Sequence, residues 1–238
     1  MAIYRGEKPP ASRAGPISKG GKEYLPHAVQ VLTGAFRNDP IFNYFMGALS
    51  AEEREDYLPM FLKTMLKATV LNEGFILEVS SWGCCAAMLP PGKKADNPWT
   101  LFPAGLPGAV LRLKSTGIKR IMVEHGGAVK RAKKKAFTPK EMSEFWYLFI
   151  IGTDPGRQRQ GLGGILLEHM KAHARSHGRP LWLEASNNNA RGLYAKHGFE
   201  EVEEITLGVG LVGPDGLAKR DGEGVKTWGM VWRPDSKK

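Results

Sequence analysis

Between an apolar run, FWYLFIIGT at 145–153, and a helical pattern, ILLEHMKAHARSHG at 165–178, the chain inserts DPGRQRQGLGG. Strand, glycine turn and helix in that order restrict the fold more than any other stretch. A helix N-terminus carries unpaired backbone N–H groups and a partial positive charge. Glycines let a ligand approach that backbone closely, and Arg157 and Arg159 add fixed charge beside it. The turn is therefore a candidate anion site, best suited to phosphate. It is not a Walker loop, because no Gly-Lys-Ser/Thr follows, and it is not the GxGxxG dinucleotide fingerprint.

The elements around it alternate. PLWLEAS at 180–186 reads as a short strand, NARGLYAKHG at 189–198 as a helix stopped by Gly198, and 199–211 and 225–232 as further strands. Upstream, LPHAVQVLTGAF at 25–36 has helical spacing with Pro26 in the first turn, RNDP at 37–40 stops it, and 41–49 continues as a short helix. Ser50 and Glu53 form a capping-box pattern opening an amphipathic helix to about Val70, kinked at Pro59. Residues 74–81 and 84–92 read as strands joined by a tight turn at Trp82-Gly83. Residues 93–107 are loop-like and receive no element; 108–135 read as helix in pieces, interrupted at Gly117 and Gly126-Gly127. Alternating helices and strands predict an α/β or α+β sheet protein. Residues 1–23, rich in Pro, Gly, Ser and basic side chains, read as a flexible basic arm, and 24–238 as a single domain.

The formal charge of +10 asks for an acidic partner without naming it. KRAKKK at 130–135 reads as a solvated helix face, with nucleic acid or a cofactor 3′-phosphate as the sharper alternative. It carries no interleaved aromatics and no known module, so nucleic acid is not expected as a partner. No run reaches the ~20 apolar residues of a membrane span and no secretory signal is visible, so a soluble, cytoplasmic protein with no membrane partner is expected. The adjacent Cys84 and Cys85 read as small apolar strand residues, and no metal-ligand spacing occurs.

Two motifs in register carry a resemblance. Gln158-Arg-Gln-Gly-Leu-Gly163 fits Q/R-x-x-G-x-G/A, and Asn187-x-x-Ala190-x-x-Leu193-Tyr194-x-x-x-Gly198-Phe199 begins 29 residues after Gln158. Together they resemble the two signatures of the Gcn5-related N-acetyltransferase (GNAT) superfamily. AFRNDP at 35–40, CCAAMLPP at 84–91 and LWLEAS at 181–186 are similar to puromycin N-acetyltransferase-like small-molecule acetyltransferases. The signatures cover residues 145–199; before Trp146 the resemblance is thin.

The resemblance implies an α+β acyl-CoA N-acyltransferase fold: a mixed central sheet splayed at the cofactor strand, with helices on both faces. It implies acetyl-CoA as co-substrate and no metal. Gln158, Arg159, Gln160, Gly161, Leu162, Gly163 and Gly164 would hold the pyrophosphate. Ile151, Gly152 and Thr153 would pair with the pantetheine arm, and Asn187 would bond its amides. Tyr194 would meet the cofactor and act as general acid, its phenol pKa of about 10 against about 8.5 for the leaving thiol. Glu184 is the candidate base; Glu124 and His125 are weaker ones. Asp39 could meet an acceptor ammonium, and Phe42, with Phe36, Tyr44 and Phe45, could line its pocket. The expected reaction is direct acetyl transfer to a primary amine of a small molecule, with self-protection or detoxification as a role. The alternatives are a protein or peptide amine as acceptor, or a non-catalytic basic module that binds nucleic acid or a partner.

Overall fold

The computed structural model describes residues 15–234. Seven strands form one mixed sheet: β1 (Ile17–Gly20), β2 (Phe75–Val79), β3 (Cys84–Leu89), β4 (Trp146–Thr153), β5 (Leu181–Ala185), β6 (Glu200–Leu207) and β7 (Val225–Trp232). Their order is β1-β2-β3-β4-β5-β7-β6. All neighbours are antiparallel except β4 and β5.

One face is covered by α1 (Leu25–Phe36), α2 (Pro40–Phe45), α3 (Ala51–Leu71), α5 (Leu106–Lys119) and α6 (Gly126–Ala136); α4 (Pro98–Ala104) packs beside α3. The other face lies under α7 (Leu162–Ser176), with α8 (Asn188–Lys196) following β5. Leu32, Leu62, Leu66 and Trp182 centre the first core, and Leu148, Leu166, Leu167, Met170 and Leu183 the second. The capping box is formed: Ser50 Oγ accepts from the Glu53 N–H, and the Glu53 carboxylate accepts from the Ser50 N–H at 2.7 Å.

Three expectations are corrected. Part of the expected arm is ordered: β1 pairs with the edge of β2, Ser18 donates to Glu78 at 2.5 Å, and Lys19 lies over the Phe75 ring. Residues 1–14 lie outside the described chain. Residues 98–104, given no element because of their prolines, form α4; Asn97 caps it and Pro98 occupies its first turn, where a missing N–H costs nothing. Gly117 does not interrupt α5. The break is at Lys114, with φ 56° and ψ −179°, while Gly117 is buried where a Cβ would come within 2.8 Å of the Phe45 carbonyl oxygen.

The sheet opens at one place. β4 and β5 pair only through Trp146↔Leu181 and Tyr147↔Trp182, then diverge. On its other side β4 is paired with β3 from Tyr147 to Thr153, with a register shift that makes Phe149 an extra residue between Leu148 and Ile150. Such a bulge bends its strand and strengthens the local twist. Beyond it, Ile151 packs toward α7, while Gly152 faces α1. A Cβ on Gly152 would lie 2.7 Å from Leu32 Cδ2 and 2.9 Å from Ala35 Cβ. Gly152→Ala is therefore expected to cost about 1–3 kcal/mol through overpacking. This would be read as a lower urea midpoint at unchanged slope; an unchanged midpoint would contradict this α1–β4 approach.

Candidate active site

The open edge of β4 runs into the glycine turn. Gly161 is the N-cap of α7 with φ +79°, a conformation that costs glycine little, and no side chain caps the helix. The first-turn N–H groups of α7 are thus not taken by a capping oxygen, unlike those of α2, α3 and α8. Gln158, Arg159, Gln160 and Gly161 are exposed, Leu162 is buried in the second core, and space opens in front of Gly161, where a Cβ would meet nothing within 4 Å. Gly163 and Gly164 serve packing: a Cβ on the first would meet Leu193, and on the second His197 Nε2 at 2.8 Å. This shape fits a phosphate group held by backbone donors beside a helix N-terminus.

The two arginines separate in role. Arg157 donates to the Ser80 carbonyl and, at 2.7 Å, to Ser80 Oγ, so it clamps the loop to the β2–β3 turn instead of facing an anion. Arg159 stays exposed with φ 60°.

α8 brings the second motif to the opening. Asn187 caps α8, its Oδ1 accepting from the Ala190 N–H at 3.0 Å, while Nδ2 lies 3.3 Å from Ser186 Oγ. Tyr194 is buried at 6 % exposure. Burial first, then the negative potential of Cys84, Asp39 and Glu184, pushes its phenol above the ordinary value. Candidate acid and candidate base thus feel each other across the splay. The raised pKa revises the expected proton balance: Tyr194 keeps its proton throughout the working pH range, but full transfer to a thiolate is uphill. Its fitting role is to donate a hydrogen bond to a developing thiolate, passing the proton only as negative charge builds there.

Glu184 sits on β5 with its side chain 10 % exposed. Oε2 accepts from the Tyr147 hydroxyl at 2.6 Å; Oε1 accepts from Trp182 Nε1 at 2.6 Å and lies 3.5 Å from Lys133 Nζ. Lys133 therefore leaves the solvated face expected of KRAKKK. Its ammonium lies 4.1 Å from the Tyr147 ring centroid and 5.7 Å from that of Trp182.

The acceptor-side candidates cluster around α2 and the segment between β3 and β4. Asp39 is 6 % exposed and does not offer a free carboxylate: Oδ1 caps α2 through the Ile41 and Phe42 N–H groups, and Oδ2 accepts from Ser186 at 2.5 Å. Burial raises its pKa and these hydrogen bonds oppose the rise. Its expected contact with an ammonium gives way to holding α2 against the end of β5. Phe42 packs on Phe36, Phe45 and Phe61. Glu124 accepts from the Tyr44 hydroxyl and lies 3.6 Å from Lys119. It and His125 belong to a π-helical turn, Arg120–His125, of a kind frequent at functional sites. Burial lowers the His125 pKa, which keeps its ring neutral at neutral pH. Sequence reasoning missed Lys133, Tyr147 and Ser186; only the strand alternation of Trp182 and Glu184 pointed toward this network.

Cys84 and Cys85 are fully buried. Burial pushes the Cys84 thiol up to about 11 and raises that of Cys85 further, so neither offers a thiolate to carry an acyl group. Among the described residues no three His, Cys, Asp or Glu side chains converge as a metal site, and no helix is long and apolar enough to cross a membrane.

A parallel pair splayed beside a glycine-led helix is the arrangement the resemblance implied for the cofactor strand. Residues 120–201 match the family described as Acetyltransferase (GNAT) domain. The chain carries a domain of the GNAT superfamily and is an acetyl-transferring enzyme, an N-acetyltransferase. It is 23% identical over 180 residues to the Uncharacterized N-acetyltransferase C550.08 of Schizosaccharomyces pombe, covering 76% of this chain and 72% of that protein. It is 51% identical over 58 residues to the [Ribosomal protein bS18]-alanine N-acetyltransferase of Escherichia coli, a match covering 23% of this chain and 39% of that protein. Its fold is that of the histone acetyltransferase HPA2 and related acetyltransferase from Corynebacterium glutamicum, with a TM-score of 0.62 at 20% identity over 92% of this chain and 96% of that one. Acetyltransferases of this fold use acetyl-CoA.

Proposed function

We propose that this enzyme transfers the acetyl group of acetyl-CoA to a primary amine of a small molecule by direct attack in a ternary complex. The observation that carries the reading is the opening between β4 and β5 beside the uncapped N-terminus of α7. The N–H groups of residues 158–164 hold the pyrophosphate, with Arg159 adding charge at the rim. The β4 edge at Ile151–Thr153 takes the pantetheine arm as an added strand, and the Asn187 amide hydrogen not donated to Ser186 reaches its amides. Acetyl-CoA supplies the activated acetyl group. An N–H near Ile151 polarises the carbonyl as an oxyanion donor, Tyr194 faces the leaving sulfur, and Glu184 receives the amine's proton directly or through water. The buried thiols of Cys84 and Cys85 support direct transfer over an acyl-cysteine route.

The small-molecule acceptor is supported by the chemistry that meets between α2 and the π turn, where Tyr44 donates to Glu124 and Phe45 packs edge-on against His125. Aromatic and acidic groups side by side suit a compact amine. The match to the bS18-alanine N-acetyltransferase favours a second reading, a peptide N-terminus as acceptor. A panel of arylalkylamines, polyamines, aminonucleosides and peptides, incubated with acetyl-CoA and read by product mass, separates the two. Acetylated small amines and unmodified peptides are expected; acetylated peptides alone would install the second reading.

A further inference from the structure

Strand β3 ends beside the start of β4, since Leu89 pairs with Tyr147. A tight hairpin would satisfy the sheet, yet residues 90–145 intervene and carry α4, α5, the π turn and α6. This insertion reaches the site at several points. Arg120 donates to the Tyr44 carbonyl at 2.7 Å, His125 meets the Phe45 ring edge-on, and Lys133 enters the sheet's own carboxylate network.

We propose that Lys133 is a positioning residue for the reaction: its ammonium fixes the Glu184 carboxylate in its ionised form and in one orientation at the mouth of the opening. This rests on the reading of Glu184 as the group that takes the amine's proton. Two hydrogen-bond donors and one ion-pair partner hold that carboxylate, and only Lys133 among them brings charge. The lysine side chain is 15% exposed and its ammonium is walled by Tyr147, Trp182 and Phe145, the last at 5.4 Å. A largely buried carboxylate without a cation tends to take up a proton. A base must be unprotonated before the amine arrives, and a lysine held in place meets that need more reliably than solvent does. The other groups acting here are His125 on the π turn, Tyr194 on α8, and Asp96, whose charge acts on Tyr147. Among these His125 is held neutral by burial and Tyr194 keeps its proton, so neither replaces the positive charge.

The test follows the Glu184 side-chain carboxyl by carbon-13 NMR titration in the whole 238-residue chain, assigned with Glu184→Gln. Lys133→Met, which keeps the stem packed against the rings, is expected to raise the midpoint by more than about one pH unit, as loss of an adjacent opposite charge does. The acidic limb of the kcat profile should move up by the same amount, and Lys133→Arg should restore most of both. A Glu184 midpoint unchanged in a folded Lys133→Met protein would overturn the proposal, even if thermal stability fell. If Glu184→Gln retained full turnover, the base reading would fail separately, and the NMR midpoint would still decide whether Lys133 fixes the carboxylate.

Discussion

Gly161→Glu is expected to abolish acetyl-CoA binding. Gly161 leads α7 at φ +79° and faces open space, so a carboxylate placed there projects to where the pyrophosphate is proposed to lie. Two unit charges about 4 Å apart at an effective dielectric of about 20 repel by ~4 kcal/mol, roughly a thousandfold in affinity. The left-handed backbone adds strain of about 1 kcal/mol or more for a residue with a Cβ. Gly161→Asn is the control, because asparagine tolerates that conformation and brings no charge. Calorimetry should show binding lost in the first variant and retained in the second, both folded by circular dichroism. Retained affinity in Gly161→Glu would remove residues 158–164 from the cofactor site.

Tyr194→Phe is expected to lower kcat by about 10²–10⁴-fold, the usual worth of a positioned proton donor, with acetyl-CoA affinity nearly unchanged. The ring stays packed against Phe199, so the fold should survive. The sign of the pKa shift gives a second readout. Burial and neighbouring negative charge raise the Tyr194 pKa, so the phenol keeps its proton above its ordinary value. The wild-type kcat profile should therefore show no alkaline loss from Tyr194 up to about pH 10. A falling limb centred below that, absent from Tyr194→Phe, would mean an unshifted phenol acting by full transfer. Unchanged turnover in the variant would take Tyr194 out of the mechanism.

The parts of the fold legible in the sequence are those set by neighbours a few residues apart. The Ser50–Glu53 capping box, Pro26 in a first turn and the strand-turn-helix around Gly161 depend on local backbone chemistry. The motif pair located β4, α7 and α8 for the same reason. Elements misread were those where local signals conflict. Pro98 and Pro103 suggested a loop although Asn97 and Pro98 together start a helix, and Gly117 suggested a break although it exists for a close approach between helices. What was not legible is long-range pairing. Asp39 is carboxylate and cap at once, and its second oxygen meets Ser186, 147 residues away. Lys133 sits in a run of like charges that reads as solvated, yet helix geometry turns that one side chain inward onto Glu184. Such contacts are set by how an inserted segment packs on the sheet, and no short-range pattern encodes them.

The most direct measurement is calorimetric titration of acetyl-CoA into the wild-type protein at near-physiological salt. The account predicts one-site binding, micromolar or tighter, with a stoichiometry of one per chain. A folded protein that takes up no acetyl-CoA at millimolar concentration would contradict it, and the glycine turn would then be only a turn.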